Sequence, residues 1–284
     1  MQKKSILKLS ALPILCAVAF ISCRNTEQQT EPELIVVESH NLKCNDSSLV
    51  FTPNLPAERL QDIPSLILMH GWGGCYSNWS SKHDIQEISN RTEFRIICPD
   101  GFYNSWYLDN TDTTQMQWRK FFDTEYFPLL KEKYNLHPDR TFITGLSMGG
   151  HGAVNLFLDH PENFRACGSM SGVLDLQMTS LRDTELKKVI GDSTGRIDSE
   201  SAINRAFEMR EQLKEIGKPI IVSCGYNDVY VRCSDAFSAM CRREDIPHIL
   251  LLSPGKHSWT YWGFALEEHL SLFTKILHGE NLGY

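Results

Sequence analysis

The sequence predicts an α/β protein, a mostly parallel sheet with helices on both faces. Two observations carry this. Short β-rich runs alternate with longer stretches of helical character. The runs are apolar at nearly every position, as strands are when both faces of their sheet are covered. With 284 residues, 42% of them hydrophobic and 22% charged, the chain can form one domain with a substantial core.

In chain order, residues Glu33 to Phe51 are expected to add an antiparallel edge. The strand candidates that follow are SLILM (Ser65 to Met69), FRIIC (Phe94 to Cys98), RTFIT (Arg140 to Thr144), RACGSM (Arg165 to Met170), PIIVSC (Pro219 to Cys224) and HILLL (His248 to Leu252). Helices are expected over Glu125 to Tyr134, Gly149 to Asp159, Ser201 to Ile216, Ser234 to Glu244 and Trp262 to Leu277. The stretch from Val173 to Glu200 has weak periodicity and several Gly, Ser, Thr and Asp residues. It reads as an irregular excursion over the top of the sheet, forming one rim of a pocket.

Ahead of the domain at 33–284, Lys3, Lys4 and Lys8 precede an apolar run from Leu9 to Ile21, the layout of a signal peptide. The run is shorter than the roughly 20 residues that span a bilayer. It ends in Phe20-Ile21-Ser22-Cys23, followed by the polar stretch Arg24 to Pro32. This resembles a bacterial lipoprotein signal cleaved after residue 22, with Cys23 carrying the lipid and residues 23–32 acting as a tether. That reading makes the protein an exported lipoprotein of the cell envelope, held to a membrane through its anchor. An ordinary cleaved signal and an uncleaved anchor are the alternatives.

The formal net charge is −7, and loss of residues 1–22 would remove three lysines and no acids, leaving −10. With no dense Lys/Arg stripe either, nucleic-acid binding is excluded. Nine cysteines in an exported chain invite a disulfide reading. Cys98, Cys167 and Cys224, however, lie in apolar strand-like runs, where free cysteine acts as a small buried hydrophobe. Cys233 and Cys241 are about 12 Å apart along a helix, too far to pair. Cys44 and Cys75 remain as possible partners.

Gly145-Leu146-Ser147-Met148-Gly149 is a G-x-S-x-G set between a strand-like run and a helix-like one. That is the context of a nucleophile elbow, a tight turn that lifts a serine hydroxyl clear of the sheet. Such a hydroxyl needs a base within hydrogen-bond reach and a carboxylate to hold the base in the right tautomer. PIIVSC runs into Gly225-Tyr226-Asn227-Asp228, and HILLL into Ser253-Pro254-Gly255-Lys256-His257. Asp228 and His257 thus sit just past strand ends, where open α/β sheets place ligands. Asp175 competes for the acid role, whereas Asp235 falls on a helix face. His151, His248, His269 and His278 read as packed or surface histidines.

The developing oxyanion needs donors. Met148 supplies one backbone N–H, and the loop His70-Gly71-Trp72-Gly73-Gly74 supplies the other, assigned to Trp72 with Gly71 and Gly73 as neighbours. No metal is implied, since His70 and His83 lack ligand spacing, and no cofactor is needed. Trp106, Tyr107 and Trp259 are pocket candidates whose flat faces suit a sugar or an aromatic acyl group. Trp79 and Trp262 are expected to pack under loops.

These pieces resemble the esterase D-like α/β-hydrolases, which include carbohydrate esterases acting on acetyl and feruloyl groups. The matching segments are LMHGWGGCYSNW (68–79), PDGFYNSWYLD (99–109), GLSMGGHGA (145–153), CGYND (224–228) and PGKHSWTYW (254–262). The resemblance implies an α/β-hydrolase fold, Ser147 as nucleophile, Asp228 as acid, His257 as base, and the Trp72 and Met148 N–H groups as the oxyanion hole. The expected activity is hydrolysis of small acyl esters on an oligosaccharide or polysaccharide. Formylglutathione hydrolases and mycolyl acyltransferases share these motifs and stay open. So does a catalytically dead carbohydrate-binding protein, which the intact Ser, Asp and His disfavour.

Overall fold

A computed structural model describes residues 31–180, 184–191 and 194–284. Residues 1–22, expected to be a signal, and Cys23, expected to carry the lipid, lie outside the described residues.

The sheet is built from β1 (Glu33–Glu38), β2 (Asn45–Phe51), β3 (Ser65–Met69), β4 (Arg95–Pro99), β5 (Thr141–Gly145), β6 (Ala166–Met170), β7 (Ile220–Gly225) and β8 (His248–Ser253). Their order is β1-β2-β4-β3-β5-β6-β7-β8. β2 pairs antiparallel with both β1 and β4, and the pairs from β4 through β8 are parallel. The expected edge and the six expected strands are all present, within a residue at each end.

The helices are α1 (Ile85–Thr92), α2 (Trp118–Phe121), α3 (Phe127–Tyr134), α4 (Met148–Asp159), α5 (Gln177–Ser180), α6 (Thr184–Ile190), α7 (Thr194–Glu200), α8 (Ala202–Glu208), α9 (Arg210–Ile216), α10 (Val231–Arg243) and α11 (Trp259–Leu277). Strand residues alternate between two cores because successive side chains point to opposite faces. Leu66, Leu68 and Phe142 meet Ile85, Leu270 and Phe273 of α1 and α11. Ile67, Met69 and Ile143 meet Val154, Phe157 and Phe237 of α4 and α10. This two-sided burial is the reason the strands read as unbroken apolar runs.

Four expectations need correction. The helix expected from Glu125 begins at Trp118 and carries a π-helical turn at Phe122–Tyr126, whose wider winding seats Phe121, Phe122, Tyr126 and Phe127 together in the core. The helix expected over Ser201 to Ile216 is broken at Met209 (φ −90°, ψ 7°) into α8 and α9. The excursion from Val173 to Glu200 contains α5, α6 and α7; α6 buries Leu186, Val189 and Ile190 at i, i+3 and i+4, a stripe of little more than one turn, and α7 buries Ile197. Cys44 and Cys75 do not pair: both are free, the Cys44 thiol donating to the Leu42 carbonyl and the Cys75 thiol lying 3.3 Å from the Ser77 hydroxyl. Cys98, Cys167 and Cys224 are buried as expected.

Candidate active site

β5 ends at Gly145 and α4 begins at Met148, so the chain reverses over two residues with Ser147 at the apex. Ser147 sits at φ 52°, ψ −115°, a left-handed conformation costly for a non-glycine residue. The flanking glycines make that turn possible. A Cβ on Gly149 would lie 2.5 Å from the His70 carbonyl oxygen and 2.7 Å from that of Met69; one on Gly145 would lie 2.6 Å from the backbone of Gly149. The elbow therefore packs directly onto the end of β3, and the Ser147 N–H is held by the Met170 carbonyl at 2.9 Å.

His257 stands in the loop after β8 and Asp228 in the loop after β7. The His257 Nε2 is 3.0 Å from the Ser147 hydroxyl oxygen, and its Nδ1 is 3.1 and 3.0 Å from the two Asp228 carboxylate oxygens. The geometry sets the tautomer: Nδ1–H donates to the carboxylate, and Nε2 accepts from the serine. Asp228 has a fully buried side chain. Burial alone would raise its carboxyl, but hydrogen bonds from His257 and from the Tyr230 N–H, with the charge of His257, prevail and hold it below the usual carboxylate range. Asp175 is not part of this chain; its carboxylate accepts from the Gln177 N–H at 2.9 Å.

On the loop after β3, the Gly73 N–H is spent on the Tyr103 carbonyl at 2.7 Å and that of Gly74 on the Gly71 carbonyl at 3.2 Å. Gly71 and Trp72 line the same cavity as Ser147. Met148 opens α4, where backbone N–H groups lack intrahelical acceptors and the helix dipole favours negative charge. The loop is fastened by His70, whose Nε2 accepts from the Gly101 N–H at 2.7 Å while its Nδ1–H donates to the Gly71 carbonyl at 2.8 Å. His83 donates to the Trp259 carbonyl at 3.2 Å.

A cavity of about 650 Å³ opens above Ser147 and His257, lined among others by Trp72, Asn78, Trp106, Thr179, Tyr230 and Trp259. Trp106 and Trp259 therefore stand where expected. Tyr107 does not: it is buried, and its hydroxyl donates to the His70 carbonyl at 2.8 Å. Trp106 and Tyr107 have φ of 56° and 58°, and this double left-handed turn sends one ring into the cavity and the other beneath the loop. Trp79 packs as expected, but Trp262 lines the cavity too, its ring edge-on to His257 at 4.8 Å. Thr179 and Tyr230 escaped sequence reasoning. Tyr230 carried a usable signal, since an Asp two residues ahead can accept its N–H in an Asx-turn, here at 2.8 Å.

The sheet order and the serine elbow define an α/β-hydrolase, and the family match that follows makes it a serine ester hydrolase. The family model Esterase, described as "Putative esterase", matches residues 39–273, and the chain belongs to this family. It is 26% identical over 257 residues to an acetyl esterase of Caldicellulosiruptor saccharolyticus, a match covering 84% of this chain and 96% of that one. The S-formylglutathione hydrolase of Mus musculus is 24% identical over 265 residues, covering 84% and 92%. Among solved structures, a ferulic acid esterase superposes with a TM-score of 0.77 at 23% identity, covering 88% of this chain and 99% of the other.

Proposed function

We propose that Ser147, His257 and Asp228 act as a catalytic triad hydrolysing small acyl esters, acetyl or feruloyl, on carbohydrate. The observation that carries this is the unbroken hydrogen-bond path from the Ser147 hydroxyl through His257 to a buried carboxylate. In the first half-reaction Ser147 Oγ attacks the ester carbonyl and passes its proton to His257 Nε2. The Trp72 and Met148 N–H groups receive the oxyanion. His257 then gives the proton to the departing alkoxide, the C–O bond breaks, and the acyl group stays on Ser147. Water repeats the sequence, with His257 as base, and releases the carboxylic acid.

Two features favour an ester over a glutathione thioester. Among the described residues the cavity lining is neutral apart from His257, whereas glutathione carries two carboxylates that call for cationic partners. The amino-terminal segment reads as an export signal, with Cys23 as lipid anchor, which would place the enzyme in the cell envelope beside extracellular polymers. The acetyl esterase relative agrees with an acetyl substrate. The test is a panel of acetylated xylan oligomers, methyl ferulate and S-formylglutathione assayed with one preparation. Higher kcat/KM on the acetylated xylan oligomers or on methyl ferulate is expected; preference for the thioester would overturn the substrate and leave the esterase.

A further inference from the structure

Four of the six tryptophans are buried and Trp259 is half-buried; Trp72 is exposed, at 48%. It stands on the loop after β3, at the mouth of the cavity that holds Ser147. Tyr103, 56% exposed, meets it edge-on, with ring centroids 4.7 Å apart and planes at 63°. The pairing is anchored in the backbone, because the Gly73 N–H donates to the Tyr103 carbonyl at 2.7 Å. Two large rings left in water, in fixed mutual geometry and beside a reactive serine, mark a surface that binds something flat and apolar.

The inside of the cavity and its rim suit different parts of a substrate. Trp106, 3% exposed, forms a buried wall of the cavity, suited to a group that ends there, as an acyl group does. A polymeric alcohol must run out to solvent and so must cross the rim. We propose that Trp72, braced by Tyr103, is a stacking subsite for a sugar ring of the alcohol portion of the substrate. The inference rests on the carbohydrate-ester reading above. A pyranose ring has an apolar C–H face and hydroxyls around its edge. Trp72 offers the flat face, and the amide of Asn78 and the hydroxyl of Thr179 line the same cavity. A lipid surface calls for apolar contacts reinforced by basic residues, and this chain has a net charge of −7.

The experiment compares an acetylated xylo-oligosaccharide with 4-nitrophenyl acetate, which share the acetyl group and differ in the alcohol. Trp72→Ala and Tyr103→Ala are each expected to lower the ratio of kcat/KM on the oligosaccharide to that on 4-nitrophenyl acetate by about tenfold, chiefly through KM. Tyr103→Phe, which keeps the ring, should retain the ratio, and far-ultraviolet circular dichroism reports that each variant is folded; the ratio cancels any loss at the oxyanion hole that Trp72→Ala causes on both substrates. If the unaltered enzyme does not act on the oligosaccharide, the carbohydrate reading fails and the subsite with it. If it does act and neither alanine variant moves the ratio, the subsite alone is overturned. Binding to phosphatidylcholine vesicles that both variants lose, with the ratio unmoved, would overturn it in favour of a lipid surface.

Discussion

Replacing Asp228 by Asn tests how the site sets the state of its base. The carboxylate accepts the Nδ1–H of His257 at 3.0 and 3.1 Å, and so leaves Nε2 as the acceptor facing Ser147 at 3.0 Å. An amide of the same shape can instead donate to Nδ1, which moves the ring proton to Nε2 and removes the acceptor. Loss of the acidic member of a triad by this route costs about 10⁴ in kcat. That corresponds to about 5.5 kcal/mol of transition-state stabilisation at about 1.36 kcal/mol per decade. Full burial of the Asp228 side chain denies the histidine a solvent-borne substitute, so the loss should sit at this scale. The sign with pH is set by the lowered Asp228 pKa: the carboxylate stays ionised below the ordinary aspartate range, and its contribution disappears only as pH falls through that lowered value. The assay is steady-state hydrolysis of 4-nitrophenyl acetate between pH 5 and pH 9, with Asp175→Asn in parallel. Asp175→Asn should stay near the unaltered rate, since its carboxylate caps the Gln177 N–H rather than His257. A small loss for Asp228→Asn beside a large one for Asp175→Asn would refute the reasoning.

Gly149→Ala should lower kcat by about 10² or more, because its Cβ would lie 2.5 Å from the His70 carbonyl and must displace the elbow or the loop that carries Trp72; an active variant with unchanged kcat would show the contact to be soft. Asp46 is buried on β2, and burial, then the charge of Asp100, pushes its carboxyl up to about 8. The folded state thus keeps a proton that the unfolded chain releases above about pH 4, so Asp46 makes stability fall by up to about 1.4 kcal/mol per pH unit from about pH 4 to pH 8 and level off above. Asp46→Asn should flatten that slope in urea titrations, and an unchanged slope would contradict the assignment. Cys23→Ser should move the protein from the membrane to the soluble fraction with esterase activity intact, as read by fractionation and lipid labelling; persistent lipid labelling would refute the anchor.

The parts of this site that were legible in the sequence are those whose chemistry is local. Ser147 was marked by two glycines whose absent side chains let the elbow touch β3, and Asp228 and His257 by their places at strand ends. The continuous apolar strands were equally plain, because each is covered on both faces. The pocket walls were not. Trp106 and Tyr107 are adjacent and chemically alike, and their opposite fates depend on two left-handed residues that no pattern announces. The helices between Val173 and Glu200 are short, with an apolar stripe of little more than one turn in α6 and Ile197 in α7, and α1 went unread although Asp84, which accepts the Glu87 N–H at 2.9 Å, stands three residues before Glu87 as a helix-start signal.

The central claim is that Ser147 carries the acyl group between two half-reactions. Rapid-quench mixing with 4-nitrophenyl acetate, followed by peptide mass mapping, tests it most directly. The account expects a burst of nitrophenol stoichiometric with enzyme and one acetyl adduct on the peptide containing Ser147, both absent in Ser147→Ala. An adduct on another residue, or undiminished turnover by Ser147→Ala, would contradict it.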